Sequence, residues 1–378
     1  MNSDKDQEDI LIENIEELER LEYTEDKNLP IFKTVHVIKK DFSLYELYRK
    51  YCKGKVIYEV DFQRKQLWKE KQKCELIESI LMGLPLPIFY FKQSDDEYIV
   101  VDGKQRLSTL FSFFKNEFAL RKLRVLNELN GKKFNDFTGE HSIYQSQLED
   151  YQIYAHLILP PTPDKILFDI FDRVNRGGTK LNKQEIRNAL YHGKGLDLIN
   201  RIVKTSEFIK ATKLEPAKDK RMKASYLITR FLAFYMYFNG KLNTEDKNYQ
   251  YGEIDEFLEH TLKCLNKASD NELEFLFSLS LQCLQMSHKF IGDGVFRKSL
   301  LKSNPINMNI FETTMYLMSK ICFANIKSDS TNIRERLLCV VESEQFLSCI
   351  EDSRDGYSKI YMRFKLMDQI AEEIVDDK

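Results

Sequence analysis

Three short stretches of the chain collect residue types that handle phosphate or polarised water. The densest runs from Tyr98 to Leu110, where the apolar residues Ile99, Val100 and Val101 end at Asp102-Gly103 and a helical pattern starts at once. Gly103 admits a close backbone approach or a positive φ. The first turn of the following helix offers unpaired N–H groups and the positive end of its dipole, which suits a phosphate. Lys104 adds a point charge and Arg106 a two-pronged donor, with Gln105 between them. Asp102, at the carboxyl end of the strand, can hold Mg²⁺ or orient a water. Taken alone, the spacing is also that of an ordinary strand–turn–helix with an Asx turn.

The second stretch, Asp61-Phe62-Gln63-Arg64-Lys65-Gln66-Leu67-Trp68, holds the only tryptophan. Trp68 can stack on a base while Gln63 and Arg64 reach polar or phosphate groups; an indole anchoring a loop is the simpler alternative. The third runs from Phe171 to Ala189. A helix ends, Gly177-Gly178 turns the chain, and Asn182 caps the next helix with Glu185 in the capping-box position. Arg173, Asn175 and Arg187 could line one side of an anion pocket, or the segment could be simply a well-capped helix–loop–helix.

Positioning these residues requires strands and helices in alternation. Ser43 caps a helix through Tyr51, and Val56–Val60 reads as a strand. A helix over Gln72–Met82 stops at Gly83 and Pro85. Strands follow at Ile88–Phe91 and Tyr98–Val101, then a helix from Gln105 to Phe114 and a β-rich run from Tyr151 to Leu159. Helices are expected over Lys165–Arg173 and Lys183–Tyr191. Beyond residue 200, segments 218–239, 253–267, 271–290, 306–324, 331–349 and 355–374 show helical periodicity and almost no strand signal. The expected division is an acidic helical extension over 1–30, striped by Ile10, Leu11, Ile15, Leu18 and Leu21, a mixed domain over 31–200, and a helical bundle over 201–378.

The whole sequence, 378 residues with 43% apolar side chains, 14 Gly and 8 Pro, can bury sizeable cores and is neither disordered nor low-complexity. No apolar run is long enough to span a membrane, and the acidic start carries no export signal, so a cytoplasmic protein is expected. The seven cysteines never form a C-x-x-C pair and read as reduced thiols. Residues 1–30 balance to −8, 31–200 to +6 and 201–378 to 0. The middle segment is the one suited to an anion.

In order and wording, four blocks resemble the N-terminal domain of the GmrSD-type restriction endonucleases, a family related to the ParB/sulfiredoxin fold. They are Phe62-Gln63-Arg64 with Trp68, Leu76–Leu81 with Gly83-Leu84-Pro85-Leu86-Pro87, Asp102–Leu107, and Phe171–Ala189. The resemblance implies an α+β protein with a small mixed sheet, followed here by an all-helical domain. It implies a nucleotide-binding, NTP-hydrolysing part of a restriction or anti-phage system, with ATP, GTP or CTP and Mg²⁺ as cofactor. Asp102, Gly103, Gln105 and Arg106 match the family's Asp-Gly-Gln-Gln-Arg signature, and Lys104 replaces its first Gln. On this reading Asp102, Gln105 and Arg106 are catalytic, with Asp102 at the metal. Gln63, Arg64, Trp68, Gly103, Lys104, Arg173, Asn175 and Arg187 bind nucleotide. DNA, a separate nuclease or effector, and a second copy of the chain are compatible partners. No His-rich nuclease motif of the HNH type follows residue 200, so a member without its own nuclease domain is expected.

Two rival readings keep the same residues. One is a nucleotide- or DNA-responsive specificity subunit without turnover. The other is a metal-dependent nuclease with Asp102 and Lys104 beside Glu59 or Asp61, which would nick plasmid with Mg²⁺ and lose this on Lys104→Ala.

Overall fold

The computed structural model describes residues 12–13, 35–57, 68–162, 166–167, 170, 173, 182–219, 221–242, 254–298, 305–322, 330–350 and 357–376. It divides into two compact units. One is Tyr23–Leu181; the other joins Asn182–Lys378 to the N-terminal segment that holds Ile12–Glu13. The texture of the sequence sets the boundary near residue 200, whereas compactness sets it at Leu181.

The apolar run before Asp102 is a strand in a five-stranded mixed sheet. In chain order the first unit holds β2 (His36–Ser43), α1 (Leu44–Cys52), β3 (Val56–Ile57), α2 (Glu70–Leu81), β4 (Phe89–Ser94), β5 (Glu97–Asp102), α3 (Lys104–Phe114), α4 (Ser142–Asp150) and β6 (Gln152–Leu159), with β1 (Ile12–Glu13) belonging to the other unit. The sheet order is β2-β6-β4-β5-β3. The pairs β2–β6 and β4–β5 are antiparallel, and β4–β6 and β3–β5 parallel. The chain is thus α+β, with the sheet confined to the N-terminal region. β2 is the strand that sequence alternation did not reveal: its residues 36–41 are exposed, so no apolar face marks it.

One face of the sheet is dry. Phe42, Phe89, Phe91, Val100, Ala155 and Leu157 pack there with Leu47, Ile77, Leu107 and Phe111 from the helices. The Ser43 hydroxyl accepts the N–H of Glu46 to start α1, as its sequence position requires. Glu78 is buried in α2, and its carboxylate accepts the N–H groups of Val125 and Leu126 at 2.8 and 3.0 Å. Burial alone would raise its pKa; the backbone donors of residues 124–126 outweigh that and hold it below the usual carboxylate range.

The second unit is helical apart from the pairing of β1 with β7 (Ile306–Asn307). Its elements are α5 (Lys183–Leu190), α6 (Lys194–Val203), α7 (Ser206–Thr212), α8 (Lys223–Phe238), α9 (Ile254–Lys267), α10 (Asp270–Ile291), α11 (Met308–Ile321), α12 (Ser330–Val341), α13 (Glu344–Ser348) and α14 (Tyr357–Asp376). Two helical expectations are corrected. Ile12–Glu13 is strand, because its backbone pairs in parallel with Ile306–Asn307; the stripe residues Ile10, Leu11, Ile15, Leu18 and Leu21 lie outside the described residues. The segment 331–349 breaks into α12 and α13, because the Ser343 hydroxyl accepts the N–H of Phe346 and starts a new helix.

The core of this unit contains charge. Arg230 and Arg363, both fully buried, converge on Glu312: Arg230 Nε donates to Oε2 at 2.6 Å and Arg363 Nη2 to Oε1 at 2.7 Å. The Tyr226 hydroxyl accepts from Arg230 at 3.3 Å, and burial pushes its phenol up to about 12. No helix among the described residues is long and apolar enough to cross a membrane.

Two measurements check this packing. Glu312→Ala strands two buried guanidinium groups and should cost about 3–5 kcal/mol in urea unfolding. Glu78→Gln should cost about 1–3 kcal/mol at pH 7. Because the folded pKa of Glu78 is depressed, its contribution is complete above the unfolded value of about 4.3 and is lost as pH falls through the folded one. The gap between wild type and Glu78→Gln should therefore narrow as pH falls below about 4.3.

Candidate functional site

Alternation along β5 would put Tyr98, Val100 and Asp102 on one face, the dry one. The ladder prevents this. Tyr90 pairs with Asp102 but Phe91 pairs with Val100, so Val101 is an extra residue, a β-bulge. The bulge reverses the parity of the last residue and turns Asp102 to the outer face of the sheet, in register with Tyr90.

Gly103 follows with φ 96° and precedes α3. Its missing side chain serves a close approach: a Cβ there would stand 2.3 Å from Cδ1 of Phe89. The space a nucleotide-binding glycine would leave open is filled by the Phe89 ring. No side chain caps the first turn of α3, which leaves its N–H groups and dipole for an anion or water.

Arg106, in that first turn, does not face solvent. Its Nη2 lies 2.7 Å from Oδ2 of Asp102, with side chains 12% and 29% exposed. Nη1 donates to the carbonyl of Pro87 and Nη2 reaches that of Ile88 at 3.4 Å. The guanidinium lies over the Phe89 ring, 4.2 Å from its centroid. Burial pulls its pKa below the usual value, and the neighbouring Asp102 charge works against this. The group is thus a clamp that fixes the Asp102 carboxylate and the 87–88 backbone together. The same loop is gripped from its other end by Tyr151, whose hydroxyl donates to the Leu84 carbonyl at 2.7 Å and accepts the Leu86 N–H at 3.0 Å.

The remaining predicted residues fall in different places. Lys104 opens α3 and is half-buried, as is Gln105. The Gln105 Oε1 is buried with no hydrogen-bond partner, an acceptor that a bound water or ligand would satisfy. Trp68 is half-buried and packs against the apolar core. Arg173 is exposed. Arg187 belongs to the helical unit, where it is fully buried and donates to Asp255 at 2.6 Å and to Gln184. Gln63, Arg64, Asn175, Glu59 and Asp61 lie outside the described residues. Among the described residues no group of three or more His, Cys, Asp and Glu could hold a metal. Asp102 is a single carboxylate, already paired on one oxygen. Phe89 and the carbonyls of Pro87 and Ile88 are the site components that sequence reading missed. The run Gly83–Pro87 marked a turn, but nothing in it signals what its carbonyls bind.

Residues 44–192 match the family model of the GmrSD restriction endonuclease, N-terminal domain. The chain carries a GmrSD-type N-terminal domain. The match runs from the start of α1 past the end of α5, includes the Asp102–Arg106 corner, and ties the chain to the restriction systems for which this domain is named. No curated protein and no solved structure matches the chain.

Gly103→Ala tests the corner. The left-handed φ and the contact with Phe89 together should cost about 3 kcal/mol, read as a lower thermal midpoint.

Proposed function

We propose that the GmrSD-type domain binds a nucleoside triphosphate at the Asp102–Arg106 corner and hydrolyses it, as part of a bacterial restriction or anti-phage system. The observation that carries this reading is a carboxylate held by a buried guanidinium immediately before an uncapped helix N-terminus. Phosphate would meet the first-turn N–H groups of α3 and the Lys104 ammonium. Asp102 and the unpartnered Oε1 of Gln105, three residues further on, are two acceptors that would orient a water for in-line attack. Arg106 acts as a positioning residue, since its donors already serve Asp102, Pro87 and Ile88. One free carboxylate oxygen suits Mg²⁺, which is usually held by one or two carboxylates plus substrate phosphates. Asp102 would hold it, and the ion would neutralise phosphate charge. Catalysis would rest on position and charge, as phosphoryl transfer requires.

Binding without turnover is the second reading. The commitment of Arg106 favours it, because this guanidinium, the one at the corner among the described residues, is already engaged by Asp102 and two carbonyls. The helical unit, balanced in charge over residues 201–378, would then engage a protein partner, a nuclease or DNA according to nucleotide state.

The test is thermal shift and phosphate release with ATP, GTP and CTP, with Mg²⁺. One of the three should raise the midpoint, by the equivalent of about 2.7 kcal/mol at a hundredfold excess over Kd. Asp102→Asn should lower turnover roughly 100-fold with a smaller effect on affinity. Binding with no turnover in wild type selects the second reading. Unchanged rate and affinity in Asp102→Asn ends the assignment.

A further inference from the structure

The ladders place four side chains in one row on the outer face of the sheet. Lys39 of β2 pairs with His156 of β6, His156 with Tyr90 of β4, and Tyr90 with Asp102 of β5. Directly paired residues share a face, and the His156 and Tyr90 rings do touch, edge to face, with centroids 5.2 Å apart and planes at 89°. The opposite face carries Phe42, Phe89, Phe91 and Leu157 and is filled by the core. The outer face is itself buried at Ile99 and Ile158, but along this row Lys39 is exposed and His156, Tyr90 and Asp102 are half-buried. Beside it stand Tyr154, 52% exposed and two residues from His156, and Ile88, 43% exposed and two residues from Tyr90.

None of these aromatic or basic residues was singled out by motif, and the corner as described leaves them unused. They have a common chemistry. In an edge-to-face pair one ring keeps a face available to a third ring, and the flanking Tyr154 and Ile88 extend that surface with apolar area. Lys39 at the far end can donate to ring nitrogens or carbonyls. Asp102 at the near end can accept from hydroxyls. Strands lie about 4.8 Å apart, so His156 and Asp102 are separated by about 10 Å, the span of a nucleoside.

We propose that this row is the nucleoside shelf of the site: the base of the nucleotide stacks on the His156–Tyr90 pair, Lys39 contacts the base edge, and the sugar lies towards Asp102. The inference rests on the nucleotide reading above and adds to it the residues that recognise the base. It also explains why the β5 bulge is placed where it is. Without the reversal of parity, the carboxylate and the aromatic row would lie on opposite faces of the sheet.

The experiment compares nucleoside triphosphates with inorganic triphosphate, which has no base to stack. Affinities of wild type, Lys39→Ala, His156→Ala and Lys104→Ala are measured by calorimetry for ATP, GTP, CTP, UTP and triphosphate. Thermal midpoints check folding, and Tyr90→Phe serves as a variant that retains the ring. Wild type should hold its preferred nucleotide at least roughly tenfold tighter than triphosphate, as one stacked base and one charged hydrogen bond allow. His156→Ala and Lys39→Ala should erase most of that difference and leave triphosphate binding unchanged, Tyr90→Phe should keep it, and Lys104→Ala should weaken both ligands. Equal affinity of wild type for nucleotide and triphosphate would overturn the shelf while leaving the phosphate corner intact. So would shelf variants that bind nucleotide as wild type does. If the shelf variants instead lose binding of a single-stranded oligodeoxynucleotide with nucleotide affinity unchanged, the row serves DNA and the assignment falls. Wild type that binds no nucleotide and no triphosphate overturns this inference together with the function it rests on.

Discussion

One ion pair organises the N-terminal unit. A carboxylate at the end of a strand is mobile and well hydrated unless something holds it, and here Arg106 holds Asp102 from one helical turn away. The guanidinium is held in place, because Phe89 supports its face and two carbonyls take further N–H groups. The cost of burying that charge is offset by the carboxylate, the ring and the three of its five N–H groups that find acceptors. Strand end, turn glycine, helix start and the 84–88 loop are thereby joined at a single point.

The helical unit applies the same rule deeper in its interior. Glu312 shares its two oxygens between Arg230 and Arg363, so three helices, α8, α11 and α14, are bound by directional contacts and not by apolar packing alone. Apolar side chains tolerate sliding; a shared carboxylate does not. Such a core favours one arrangement of its helices.

Much of the fold could be read from the sequence, and the reasons are local. Ser43 and Asn182 are N-caps recognisable by type, and each caps its helix as its position suggests. The hairpin of β4 and β5 follows from alternation interrupted by Gln93–Glu97. β2 was not legible, because an edge strand exposed along most of its length carries no hydrophobic pattern. The break between α12 and α13 was overlooked because Ser343 interrupts the apolar stripe without erasing it. At the site, Asp102, Gly103 and Arg106 were identifiable as a group. Their mutual roles were not, since an i, i+4 spacing does not say whether an arginine will turn to its own carboxylate or to a ligand. The row from Lys39 to Asp102 was invisible for a stronger reason: it depends on strand order and register, and on a bulge that alternation cannot foresee.

The two clamps on the loop between α2 and β4 share a property. Tyr151 and Arg106 both grip main-chain atoms, at Leu84, Leu86, Pro87 and Ile88. What they fix is the path of the chain, and they place little demand on which residues travel it. The outward side chains of that loop are thus free to drift over evolutionary time without disturbing the carboxylate beneath. That strip of surface can change in character while the ion pair under it stays in place.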